Sequence, residues 1–377
     1  MATSNEELRD QLLSHQVQLL RYGKGLRDRI VALLNRSEPE LQRKLRARLE
    51  RIGALGYDTG PSTTRKLIIT ERLIKAILDP TWATINDLVR RELLGLAVGE
   101  IAWIAGTVSN ALPVIWTPAL PTPRQVRSIV LARPFQNKIL RDWLSTYQAG
   151  DRRRMMDQIR QGLLFDETPT EIGRRIFGTR ALGGVDGTRE ITRRGAQTLA
   201  QTATSAITNG TRQRLYLENK RIIPRELYVA TLDSRTTPQC QSLDGQEFPV
   251  GEGPIPPVHM NCRSVRVPVI DGRRIGNRPA SQNFKGRLGR LRGPARRREV
   301  AKLVGKVPAS TNYDTFLRNS DTAFQNNVLG PTRARLFRAG EFDVSGFVDN
   351  SGQRLTLRQL YDIKPQAFNR LGIPAPD

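Results

Sequence analysis

The sequence predicts an α+β protein that is mainly α, with a helical body, a small β-containing module, a basic extended arm and a C-terminal tail of short helices. Three observations carry this. Apolar residues recur at i, i+4 and i+7 over most of the first 220 positions. From Ile222 the chain changes to short β runs, "ELYVATL", "QEFPV" and "RSVRVPVI", separated by Asp-Gly and Gly-Pro turns. Between Asp271 and Lys306, twelve basic residues stand against two acidic ones with few large apolar groups, the composition of a segment that packs poorly. The regions that follow are 1–120 and 125–220, both helical, a β module over 221–272, the arm over 273–306 and a tail subdomain over 307–377.

Leu8, Leu12, Leu13, Val17 and Leu20, then Leu26, Ile30 and Leu33, predict a first helix. Ser37-Glu38-Pro39-Glu40 has capping-box spacing and predicts a second start, with Leu41, Leu45, Leu49 and Ile52 on one face. Tyr57 to Thr64 reads as a turn, and the helical period returns over 65–112, interrupted near Asp79-Pro80. This N-terminal region is apolar on one face but poor in aromatics, so a partner is expected to cover that face. A Pro-rich linker, "LPVIWTPALPTPR", follows. Helical pattern resumes over 125–163, and Thr168-Pro169-Thr170-Glu171 combines a cap, a first-turn proline and a capping glutamate. Gly178 to Gly187 is a loop, and 188–219 a long Thr- and Ala-rich helix.

Basic residues outnumber acidic ones 60 to 36, a net charge of +24. Such an excess, mostly arginine, predicts contact with a polyanion by phosphate neutralisation and counterion release. Two cysteines in 377 residues are no disulfide framework, and the default compartment is reducing. The N-terminus carries acidic groups and no signal-peptide core. The longest uncharged stretch, Ile101 to Pro123, holds four prolines and is a poor membrane span.

One segment, "VATLDSRTTPQCQSLDGQEFPVGEGPIPPVHMNCRSV" at 229–265, holds both cysteines and one of the two histidines. Cys240, His259 and Cys262 are soft ligands at C-x18-H-x2-C spacing, but zinc takes four ligands, or three and a water. No fourth Cys or His lies nearby, and Asp233 or Asp244 would have to complete the shell. Spacing alone therefore weighs toward packed thiols or a disulfide over a metal. No nucleophile elbow, phosphate loop or H-E-x-x-H motif occurs, so no catalytic residue is assigned. Asp233-Ser234-Arg235-Thr236 before Pro238 reads as a turn held by a buried Asp–Arg pair. In the arm, Arg273, Arg274, Arg278, Lys285, Arg287, Arg290, Arg292, Arg296, Arg297 and Arg298 are the candidate phosphate contacts. Phe284 is the one aromatic beside them, so base stacking is a minor contribution.

D-x-R-T-x-P-x-C at Asp233–Cys240 and P-P-x-H-x-x-C-R at Pro256–Arg263, with the Asp244-Gly245 turn between, resemble the Mu F-type phage head-morphogenesis (minor capsid) proteins. The resemblance extends through "ARPFQNKILRDW", "IRQGLLFDETPTEIGRRIFGTRAL", "RRGAQTLAQTATSAITNGTR" and the tail from Tyr313, so it spans about 130 to 365. Many members carry Cys where Thr237 stands here. The resemblance implies a structural, non-enzymatic virion protein of a tailed bacteriophage, inside the capsid near the portal or inner shell, and in the host cytoplasm during assembly. Its implied partners are the portal, the major capsid protein and packaged double-stranded DNA, bound without sequence preference. It implies no cofactor, membrane or small-molecule substrate. Asp233, Arg235, Thr236, Pro238, Cys240, Asp244, Pro256, Pro257, His259, Cys262 and Arg263 become scaffold residues. The rival readings are a nucleic-acid-binding protein outside any virion and a metal-dependent enzyme.

Overall fold

The computed structural model describes residues 4–54, 61–112, 115–270, 277–289, 291–308 and 310–376. It is mainly α with two small antiparallel sheets. The chain forms two compact units, each built from separated stretches of sequence. One comprises Leu19–Gly99 and Thr122–Thr208, the other Met1–Gln18, Glu100–Pro121 and Asn209–Asp377. The five regions read from sequence were consecutive. The difference arises because α1 (Ser4–Ala54), α2 (Pro61–Ala111) and α6 (Arg189–Glu218) are long enough for each to serve both units.

The all-helical unit contains most of α1 and α2 together with α3 (Pro123–Leu131), α4 (Leu140–Leu164), α5 (Pro169–Phe177) and the first part of α6. α1 and α2 run antiparallel. Tyr22 donates to the Glu92 carbonyl (2.9 Å), Arg29 pairs with the Glu92 carboxylate (2.7 Å), and Arg48 donates to the Lys66 carbonyl (3.1 Å). Leu26, Ile30, Leu34, Leu41, Leu45, Leu49 and Ile52 of α1 are buried, as are Ile74, Leu78, Trp82, Ile85, Val89 and Leu93 of α2. The apolar stripe expected to await a partner is thus covered by the protein's own chain. α2 is the one described helix long and apolar enough to cross a membrane, and 44% of that window is buried inside the protein.

Two breaks expected from sequence do not occur, since Pro39 and Pro80 both lie within unbroken helices. Ser37 donates back to the Leu34 carbonyl (2.9 Å) instead of capping a new helix, and Glu40 pairs forward with Lys44 (2.7 Å). Near Pro80, Thr84 and Thr81 donate to the Pro80 and Ile77 carbonyls. A proline removes one backbone bond, whereas each helix buries an apolar stripe along its whole length. Capping boxes form at Thr122/Gln125 and Thr168/Glu171, each with a first-turn proline, and at Thr356/Gln359 without one. Of the turn expected at Tyr57 to Thr64, residues 57–60 lie outside the described residues, and α2 has begun by Pro61.

The second unit contains the β module. β1 (Arg225–Val229) is central, antiparallel to β2 (Glu247–Pro249) on one side and β3 (Val265–Val269) on the other. α7 (Pro238–Leu243) lies between β1 and β2 in sequence. Leu227, Val229, Val265, Val267 and Val269 share an apolar cluster with Leu12, Ile104, Val108, Leu215 and Tyr216. A hairpin of β4 (Asn277–Ser281) and β5 (Val304–Pro308) follows, with α8 (Gly293–Lys302) between its strands. The segment expected to be an extended arm therefore contains a helix and two paired strands, because strand pairing absorbs its backbone despite its composition. The tail, α9 (Tyr313–Arg318), α10 (Thr322–Leu329), α11 (Pro331–Arg338), α12 (Leu357–Ile363) and α13 (Pro365–Arg370), packs Phe316, Phe324, Phe337, Phe347 and Phe368 into its own core.

Candidate functional site

The motif residues converge beside the central strand. Thr237 caps α7, accepting from the Cys240 N–H (3.5 Å), and Pro238 occupies its first turn. This fixes Cys240 against Tyr228 of β1, whose hydroxyl lies 3.3 Å from the Cys240 sulfur. The Pro256–Pro257 peptide is cis. Beyond it a tight turn closes through the Cys262 N–H to the His259 carbonyl (3.2 Å), with Asn261 in the left-handed region at φ 58. The turn brings His259 and Cys262 to the same place. His259 Nε2 is 3.1 Å and Cys262 Sγ 3.8 Å from Cys240 Sγ, and all three ligand atoms lie within 4.8 Å of one another. Both thiols are buried and unbridged.

The two thiols share their charge unequally. Hydrogen bonding from Cys240, aided by His259 and the Ser264 backbone, holds Cys262 well below the usual thiol range, whereas Cys240 is pushed up by its bond to Cys262 and by burial. Burial pulls His259 down, but its hydrogen bond and attraction to Cys262 leave it raised. His259 Nδ1 donates to the Met260 carbonyl (2.8 Å). Cys240 and Cys262 are 1% and 0% exposed, so both thiols face the protein interior.

Two carboxylates beside the cluster are otherwise engaged. Asp233 receives both terminal nitrogens of Arg263 (2.6 and 2.7 Å) and the Arg235 N–H (3.0 Å). Burial pushes the Asp233 carboxyl up, but Arg263 holds it below its usual range. The Asp233–Arg235 pair expected from sequence forms at 3.4 Å, but the buried, bidentate partner of Asp233 is Arg263. The Arg235 side chain is 77% exposed, because a two-residue spacing leaves it outside the turn that Arg263 reaches across. Thr236 donates to the Thr231 carbonyl, and Gln241 to the Thr236 carbonyl (2.7 Å). Asp244 accepts from the Ala230 N–H (2.7 Å) and from both terminal nitrogens of Arg278 (2.9 and 3.0 Å). Neither Asp233 nor Asp244 is placed to complete a metal shell.

Arg278 is corrected as a phosphate contact. It is 4% exposed and donates to the Asp244 carboxylate and the Ala230 and Thr311 carbonyls, so it has no group left for solvent or DNA. Arg287 is paired with Asp321 and lies over the Phe284 ring. Arg273, Arg274 and Arg290 lie outside the described residues. Lys285, Arg292, Arg296, Arg297 and Arg298 are exposed, the last three on α8.

Sequence reasoning missed several buried groups in the second unit. Arg212 (1% exposed) pairs with Glu100 (2.6 Å), and His15 reaches the same carboxylate (2.8 Å) while stacked on Trp103. Arg266 pairs with Glu226 and lies over Phe248. Charged residues inside otherwise apolar strand or helix faces, such as Arg266 in "RSVRVPVI", were the available signal.

Residues 152–267 match the family described as Phage Mu protein F like protein. That segment, under a third of the chain, is similar to the Mu F family. It runs from α4 to β3 and includes α7, the Asp233–Arg263 pair and the Cys240, His259, Cys262 cluster. The match is shorter than the resemblance in motif strings, leaving the N-terminal third and the tail outside it. Comparison with curated proteins and with solved structures gave no match.

Proposed function

We propose that the protein is a minor head protein of a tailed bacteriophage, a structural component of head morphogenesis and not an enzyme. The match of residues 152–267 carries this reading. The finer reading places the chain inside the capsid, against the portal or inner shell, with the exposed arginines of α8 facing packaged double-stranded DNA. Its support is chemical. The charge is +24, and Arg296, Arg297 and Arg298 are exposed without an ion pair among the described residues. Arginine in that state neutralises phosphate without reading bases. The non-enzymatic reading is supported by the burial of both sulfurs and the engagement of Asp233 and Asp244 by arginines.

The test is localisation. Particles from an infected host are purified by gradient sedimentation, and the chain is followed in full heads, DNA-free heads and the soluble pool. Cosedimentation with both kinds of head, followed by density for the chain within the capsid, is expected. A chain found solely in the soluble pool overturns the proposal and favours the nucleic-acid-binding protein outside any virion.

A further inference from the structure

We infer that Cys240, His259 and Cys262 bind one zinc ion, which ties α7 to the turn before β3. Spacing alone weighed toward packed thiols or a disulfide; the arrangement of the three ligand atoms turns that weighting round. The Cys240–Cys262 sulfur separation is 3.8 Å. Two thiolates at about 2.3 Å from a tetrahedral zinc stand about 3.8 Å apart. A disulfide needs about 2.05 Å, so bridging would require both segments to close by most of 2 Å. The His259 Nε2 to Cys240 sulfur distance of 3.1 Å is about 0.4 Å shorter than a tetrahedral edge, a hydrogen-bonded separation that a small ring movement opens.

Imidazole orientation is the independent observation. His259 Nδ1 is spent on the Met260 carbonyl (2.8 Å), which puts its proton there and leaves the Nε2 lone pair facing the sulfurs. Histidines that ligate metal through one nitrogen are oriented by such a bond from the other. The Tyr228 hydroxyl, 3.3 Å from the Cys240 sulfur, supplies the corresponding support for a thiolate. Charge also fits. Two thiolates and a divalent ion make a neutral group, and both sulfurs are buried. Two sulfurs and an imidazole select zinc over the hard cations, which take oxygen. With Asp233 held by Arg263 and Asp244 by Arg278, the fourth position falls to a water on the half-buried side of His259. Binding two free thiols as thiolates releases their two protons to solvent and changes no oxidation state.

The experiment uses the full chain, purified without a histidine tag from zinc-supplemented medium. Elemental analysis is expected to give about one zinc per chain. Thiol titration of the native protein should find both cysteines protected, and both should react after chelation. His259→Ala and Cys262→Ser should retain near-zero zinc. If either variant fails to fold, cobalt exchange into the wild-type protein decides instead, and thiolate-to-cobalt charge-transfer bands are expected. Metal-free protein that takes up no zinc on dialysis, iron or copper in its place, or a Cys240–Cys262 disulfide found by mass spectrometry of the alkylated, unreduced protein each overturns the inference.

Discussion

Removing the Arg278 side chain separates two fates for an arginine that sequence alone could not distinguish. Its guanidinium sits between the Asp244 carboxylate, the Ala230 carbonyl and the Thr311 carbonyl, and the Asp244 side chain is 0% exposed. Arg278→Ala leaves that carboxylate buried and uncompensated, a change that costs about 3–5 kcal/mol. The unit holding it contains roughly 200 residues, which at about 2.1 cal/mol/K each unfold with an entropy near 0.4 kcal/mol/K. The expected fall in melting temperature is then about 7–12 °C. Scanning calorimetry measures it, and urea titration at 25 °C checks that the midpoint moves with little change in slope. Arg278→Ala with Asp244→Ala together should lose less than Arg278→Ala alone, because no charge is left behind. A loss under about 1 kcal/mol, or a double variant worse than the single by the full additive amount, would refute the buried clamp.

Replacing Arg296, Arg297 and Arg298 with Gln should leave stability within about 0.5 kcal/mol yet flatten the salt dependence of duplex binding by up to about 0.9 per lost phosphate contact. An unchanged slope in a fluorescence anisotropy titration would remove α8 from the DNA interface. Deleting residues 1–56 should unfold the helical unit and not merely weaken head incorporation, since Leu26, Ile30, Leu34, Leu41, Leu45 and Leu49 are part of its core; a truncated chain with undiminished helical circular dichroism per residue would contradict this. Acid should destabilise the second unit. Asp233 and Glu100 are held below their ordinary values by Arg263 and Arg212 against the opposing effect of burial. Their contribution is fully present above the unfolded values near 4 and is lost as pH falls through the lower folded values. A urea midpoint that stays flat from pH 5 to pH 3 would count against both pairs.

The sequence was most readable where one local signal determines the outcome. Thr168, Pro169 and Glu171 start a helix as read, because a cap, a first-turn proline and a returning glutamate act within four residues. Ser37-Glu38-Pro39-Glu40 has the same look and fails, because burial of Leu34, Leu41 and Leu45 continues the helix through it, and no local pattern reports that packing. Cys240, His259 and Cys262 were found as a set from residue type, while Tyr228, twelve positions before Cys240 on a strand, gave no sign of facing it. Arg278 and Arg296 looked alike in a basic run. Their difference depends on Asp244, a partner 34 positions away in sequence, and charge composition carries no such information.

Leu12 is fully buried in the same apolar cluster as Val265, Val267 and Val269. The ribosome must add about 250 residues after Leu12 before that cluster can close, a delay of roughly 12–50 s at about 5–20 residues per second. During that interval the start of α1 has helical period but no place to bury its leucine. The second unit is therefore a late product of translation, and its first eighteen residues must stay clear of other chains until β3 emerges.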